Sequence, residues 1–154
     1  MSADAQAREL DESELVAFAQ RVAGVVGDGG VIHLHGDLGA GKTTFARALL
    51  RALGVGERVK SPTYSLIESY AVGDLAAHHL DLYRIADPGE LEWLGLADLA
   101  ADKHLILIEW PERAGDAAPA PDLTVHLAHA GPRRALRLEA RSPRGRQWVA
   151  RLAA

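Results

Sequence analysis

The chain has 154 residues, 48% of them hydrophobic, with a formal net charge of −4 and no cysteine. That length suits one domain that buries roughly 70% of its unfolded surface, and the missing cysteine excludes both a disulfide framework and a thiolate metal site. No apolar run approaches the ~20 residues that a membrane span needs, and no basic start leads into an apolar stretch, so a soluble cytoplasmic protein is expected.

Residues 1–10 are polar and read as a flexible N-terminus, followed by a single domain over 11–154. Asp11 and Glu14 stand at capping-box spacing and open a helix carrying Leu15, Phe18, Val22, Val25 and Val26 on one side. The glycine-rich stretch 27–30 stops it. Residues 31–35 form a short strand, residues 36–43 a glycine loop, and Phe45, Leu49, Leu50 and Leu53 the apolar face of a second helix ending at Gly54. Pro62 biases Ser61 toward an extended conformation. Residues 63–72 and 77–85 are strand candidates joined by a turn at Gly73-Asp74. Asp87-Pro88-Gly89 is turn chemistry before a helix bearing Leu91, Leu94, Leu96 and Leu99. Residues 105–108 form a buried-strand run into Glu109-Trp110-Pro111. After a loop at 114–121, strands are expected at 123–127 and 135–138, then a short helix from Gln147. Strands interleaved with helices predict an α/β fold.

Gly36-Asp37-Leu38-Gly39-Ala40-Gly41-Lys42-Thr43 fills every fixed position of G-x-x-x-x-G-K-[ST], the Walker A loop. Its glycines allow backbone angles that a Cβ forbids, so successive N–H groups can turn inward around a phosphate. Lys42 brings a point charge to the outer phosphates, and Thr43 offers a hydroxyl to Mg2+. Strand, loop and helix come in the order the motif needs, with the positive end of the helix dipole at the phosphates. Lys42 is one of only three lysines, with Lys60 and Lys103, in a chain that otherwise uses arginine; a compact ammonium suits the loop better than a planar fork.

A metal beside such a loop needs acids. Glu109 ends an apolar run of strand character, as a Walker B carboxylate does, and stands where ligands bind in open α/β sheets. It can hold Mg2+ or orient an attacking water. Asp81 lies between Leu80 and Leu82, a costly place for a charge unless a cation or donor meets it; Arg84 is the alternative partner to the metal. Ser61, Thr63 and Tyr64 offer hydroxyls on a segment stiffened by Pro62, suited to a switch or to an ordinary turn. Trp110 is read as a core ring or a surface anchor. His33 and His35 share one strand face while His78 and His79 point to opposite faces, and all seven histidines are read as structural. Residues 131–154 hold seven arginines against the single acid Glu139, which suits an anionic partner or simply a solvated face.

Four blocks in order, Gly36-Asp37-Leu38-Gly39-Ala40-Gly41-Lys42-Thr43-Thr44, Val59-Lys60-Ser61-Pro62-Thr63-Tyr64, His79-Leu80-Asp81-Leu82-Tyr83-Arg84 and Ile108-Glu109-Trp110-Pro111-Glu112, resemble the signature blocks of the TsaE family. That family comprises small bacterial P-loop ATPases of tRNA threonylcarbamoyladenosine synthesis. The resemblance implies a P-loop NTPase-like mixed β-sheet flanked by helices, with ATP and Mg2+ as cofactors. It also implies a role supporting TsaB and TsaD, with tRNA in the same complex. Carried over, residues 37–44 bind the nucleotide, and Thr43, Asp81 and Glu109 hold the metal. Lys42, Asp81 and Glu109 serve catalysis, Ser61-Pro62-Thr63-Tyr64 is switch-like, and Trp110 and Arg84 lie near the nucleotide or partner. Where the family often has a threonine near the start of the first helix, this chain has Leu15 and Val16.

Three rival readings follow from the same loop. A small-molecule kinase would want a lid or an arginine cluster for its acceptor, and neither is apparent. A GTPase would want N-K-x-D and D-x-x-G, which do not occur. A binding module clamped by ATP without hydrolysis is the non-enzymatic alternative.

Overall fold

The computed structural model describes residues 7–60, 62, 66–99 and 101–153. Its first helix, α1 (Glu12–Ala23), begins with the capping box read from the sequence. The Asp11 side chain accepts from the Glu14 N–H, and the Glu14 carboxylate accepts from the Asp11 N–H, which together satisfy two backbone donors that a helix start leaves open. Its apolar side buries Leu15, Phe18, Ala19 and Val22.

Strand β2 (Gly30–His35) leads through the glycine loop into α2 (Lys42–Leu50). The helix runs on into a wider turn, Arg51–Val55, where Gly54 takes φ 121° and ends it. Strands β3 (Ile67–Val72) and β4 (Leu75–Asp81) form the expected hairpin, turned by Gly73 at φ 59°. Strand β5 (His104–Glu109) follows, then β6 (Leu123–Ala130), β7 (Arg133–Ala140) and a C-terminal helix (Pro143–Ala153).

Three expectations need correction. Residues 8–10 are not frayed: Arg8–Leu10 is a strand, β1, paired antiparallel with β7. It covers what would otherwise be an open sheet edge and buries Leu10. The helix expected after Asp87-Pro88-Gly89 is two pieces, a 3-10 stretch at Pro88–Leu94 and a short α3 (Leu96–Leu99), divided at Gly95, whose φ of 58° ends a helical run. The last helix, α4, begins at Pro143, four residues before Gln147, because proline is tolerated in a first turn. Ser61, Thr63 and Tyr64 lie outside the described residues.

The seven strands lie in the order β1-β7-β6-β2-β5-β4-β3. The central four, β6-β2-β5-β4, are parallel, and the outer pairings are antiparallel. The sheet is therefore mixed, as the resemblance implies. One face carries Ile32, Leu34, Leu105 and Leu107 against Phe18, Phe45, Leu49 and Trp148 of the helices. The other carries Val31, Leu80, Ile106 and Ile108 against Leu91 and Leu96. Truncating a fully buried ring such as Phe45 to alanine would cost about 3–5 kcal/mol. Parallel pairing brings the C-terminal ends of β2, β4 and β5 to one edge, where ligands bind in open α/β sheets. Among the described residues, no helix is long and apolar enough to cross a membrane.

Candidate nucleotide and metal site

The loop between β2 and α2 holds a shape that side chains would prevent. Gly36 has φ 155°, and a Cβ there would stand 2.4 Å from the Leu127 carbonyl oxygen. Gly41 caps α2 at φ 109° with no side-chain hydrogen bond, so N–H groups of the first turn stay open to an anion. The β6–β7 hairpin braces the loop from outside. The His129 ring lies 3.1 Å from the Leu38 carbonyl oxygen, and a Cβ on Gly41 would come within 3.8 Å of Arg134 Cγ.

Lys42 is only 4% exposed. Its ammonium donates to the Gly36 carbonyl oxygen and lies 3.4 Å from the centre of the Trp110 ring. Burial pushes the Lys42 pKa below the usual lysine range, although Glu109, Glu112 and Asp81 act in the other direction. Among the described residues no carboxylate pairs directly with the ammonium, which leaves this buried cation suited to an anionic ligand.

The two acids are brought together by register. Strands β4 and β5 place Asp81 directly opposite Glu109. Glu109 is buried and accepts a hydrogen bond from the Thr43 hydroxyl at 2.8 Å on Oε1, while His79 Nε2 lies 2.6 Å from Oε2. Burial raises the Asp81 pKa above the ordinary carboxylate value; the Tyr83 N–H, 3.0 Å from its Oδ1, opposes this, and the charge of Glu109 adds to it.

These side chains surround one cavity of about 530 Å3. Leu38, Gly39, Gly41, Lys42, Thr43 and Thr44 line it from the loop, and Asp81, Arg84, Glu109 and Trp110 from the strand ends. Of the loop residues, Asp37 and Ala40 stay off its wall: the Ala40 N–H donates to the Asp37 carbonyl oxygen at 3.0 Å, and Ala40 is fully buried. Leu15 lines the cavity near the start of α1 and offers it an apolar surface. Trp110 packs as the core-ring reading expects and also borders the cavity. Its ring packs on the second core cluster while its face meets Lys42, with Tyr83 5.0 Å away. Its backbone, at φ 59°, is left-handed, an uncommon conformation for a bulky residue.

Two residues of this neighbourhood escaped the sequence reading. The sequence reads His79 as structural, yet it contacts Glu109; its spacing of two from Asp81 puts both on one face of β4. Arg134 lines the cavity from β7, and nothing local in the sequence joins it to the loop. Other tail arginines serve the fold. Arg133 pairs with Glu14 at 2.9 Å, and Arg141 with Glu139 at 3.1 Å.

Among the described residues, no three His, Cys, Asp or Glu side chains gather into a metal cage. Two carboxylates and a hydroxyl fit a hard cation that shares its ligands with phosphate and water, as Mg2+ does.

A family model described as "Threonylcarbamoyl adenosine biosynthesis protein TsaE" matches residues 10–136. The chain belongs to the TsaE family. A Haemophilus influenzae relative described as tRNA threonylcarbamoyladenosine biosynthesis protein TsaE is 40% identical over 119 residues, 77% of this chain and 75% of its own. A Bacillus subtilis TsaE with the same description is 36% identical over 124 residues, 80% of this chain and 77% of its own. The crystal structure of Bacillus subtilis YdiB superposes with a TM-score of 0.80 at 27% identity, covering 99% of this chain and 96% of that one. The segment matched to the TsaE model contains the glycine loop, both acids, Trp110 and Arg134. The YdiB likeness extends the shared fold to α4.

Proposed function

We propose that this TsaE family member is an ATP-binding, Mg2+-dependent ATPase, acting as one cytoplasmic domain to which strand β1 also belongs. In this reading it supports TsaB and TsaD in forming threonylcarbamoyladenosine next to the anticodon of tRNAs. The observation that supports the reading is the Thr43–Glu109 hydrogen bond beside the buried Lys42 ammonium, a hydroxyl, an acid and a cation that line one cavity. The family descriptions supply the tRNA pathway.

Leu38, Gly39 and residues 41–44 would bind the nucleotide, with Lys42 meeting the outer phosphates and the α2 N–H groups available to them. Thr43, Asp81 and Glu109 hold Mg2+, which when bound neutralises charge on the phosphate oxygens. Glu109 orients the attacking water, Arg84 is the cis candidate for an arginine finger, and the segment from Ser61 to Tyr64 responds to the outer phosphate. Trp110 closes over the lysine. A finger that is missing or misplaced costs about 10³–10⁵ in rate, so hydrolysis is slow alone and faster in the complex.

The test assays ATPase activity and tRNA modification together, with TsaB and TsaD added or withheld. Turnover should rise with the partners, and Glu109→Gln should bind ATP yet fail in both assays. A Glu109→Gln chain that binds ATP and still supports modification would identify a non-hydrolysing clamp instead.

A further inference from the structure

His79 is completely buried on β4 and does not line the cavity at the glycine loop. Its Nε2 lies 2.6 Å from Glu109 Oε2, and its Nδ1 is buried with no hydrogen-bond partner among the described residues. The network assigns the tautomer. An unpaired buried N–H is the rarer and costlier defect, so Nδ1 carries the lone pair and Nε2 the hydrogen. His79 is therefore a donor, aimed at one oxygen of Glu109 while the Thr43 hydroxyl donates to the other.

We infer that His79 is a positioning residue for Glu109, fixing the carboxylate in the orientation that the metal and the attacking water require; this rests on the ATPase reading of the site. Glu109 is joined to its strand by three rotatable bonds, and Thr43 alone restrains a single oxygen. Two donors from two elements, one on β4 and one on α2, leave the carboxylate a single orientation. The same hydrogen bond offsets much of the cost of burying the charge. His79 acts only through Glu109, since it neither lines that cavity nor meets solvent.

The experiment compares His79→Leu, which cannot donate, with His79→Gln, which can, in the chain assembled with TsaB and TsaD. Losing such an outer partner lowers activity or metal affinity by about 10–100-fold. His79→Leu should show that drop in kcat with KM for ATP held within about threefold. Calorimetry should show ADP affinity unchanged without Mg2+ and its enhancement by Mg2+ reduced. His79→Gln should recover a large part of both. If His79→Leu lowers Tm but leaves kcat and the Mg2+ enhancement intact, His79 is a packing residue and the inference is overturned. Equal losses in both variants overturn it too, because the hydrogen bond is then not the cause. Should His79→Leu not fold, His79→Asn replaces it, its donor falling one methylene short of glutamine's, and the same outcomes apply. A wild-type complex that does not hydrolyse ATP would overturn the ATPase reading and this inference with it, whereas active wild type with active His79→Leu overturns the inference alone.

Discussion

The Lys42 ammonium lies 3.4 Å from the centre of the Trp110 ring, so the charge that the loop offers to an anion rests against an aromatic face. That contact, worth on the order of 1–2 kcal/mol when desolvated, offsets part of the burial cost; in the proposed function the phosphate of the nucleotide offsets the rest. Lys42→Met should therefore raise the Tm measured without nucleotide by ~2–4 °C, the size of about 1 kcal/mol in a domain of this length. The same variant should lose ATP affinity by more than about 100-fold in calorimetry. An unchanged affinity would remove Lys42 from the phosphate site.

Asp81 has its pKa raised by burial. The folded chain then holds this proton more tightly than the unfolded chain, so stability falls as pH climbs through the window above the ordinary value of 3.8. Asp81→Asn should stabilise the protein at pH 7 and lose that advantage below about pH 4, by chemical denaturation at both values. It should also weaken the enhancement of nucleotide binding by Mg2+, on the order of tenfold.

Burial lowers the pKa of His33, His35 and His78. Each contributes stability that is complete above the unfolded value of about 6.5 and is lost as pH falls below it, because the unfolded chain takes up the proton first. Thermal melts between pH 7.5 and 5.5, roughly the histidine range, should show a falling Tm. The double variant His33→Gln, His78→Gln should flatten that slope; an unaltered slope would assign it to other groups.

Arg134 lies beside Gly41 at the cavity wall. Arg134→Ala should weaken nucleotide affinity by about tenfold, as loss of one charge-assisted contact does, with Arg134→Lys intermediate. Arg133→Ala, which breaks the ion pair to Glu14 away from the cavity, serves as the control and should leave affinity unchanged.

The parts legible in the sequence were those whose signal is local. The capping box of Asp11 and Glu14, the strand-loop-helix unit around Lys42 and the apolar run into Glu109 are each one continuous stretch of the chain. Pairing Asp81 with Glu109 needed only two strands known to end at one edge. The His79–Glu109 contact depends instead on neighbouring registers 30 residues apart, and the assignment of residues 8–10 to a strand depends on β7 presenting an edge. Gly95 broke the predicted helix because its left-handed φ outweighed the leucine spacing.

The β6–β7 hairpin also sets a timetable. His129 meets a loop residue 91 positions earlier in the chain, with Leu127 and Arg134 alongside. The glycine loop thus leaves the ribosome long before its buttress, and β2 waits just as long for β6, one of its two neighbours. Domains fold as units during synthesis, so a nascent chain halted before residue 123 carries the whole loop sequence yet lacks the means to hold it open. The braced loop is acquired late, and a molecule that holds it open has already passed its own check on complete folding.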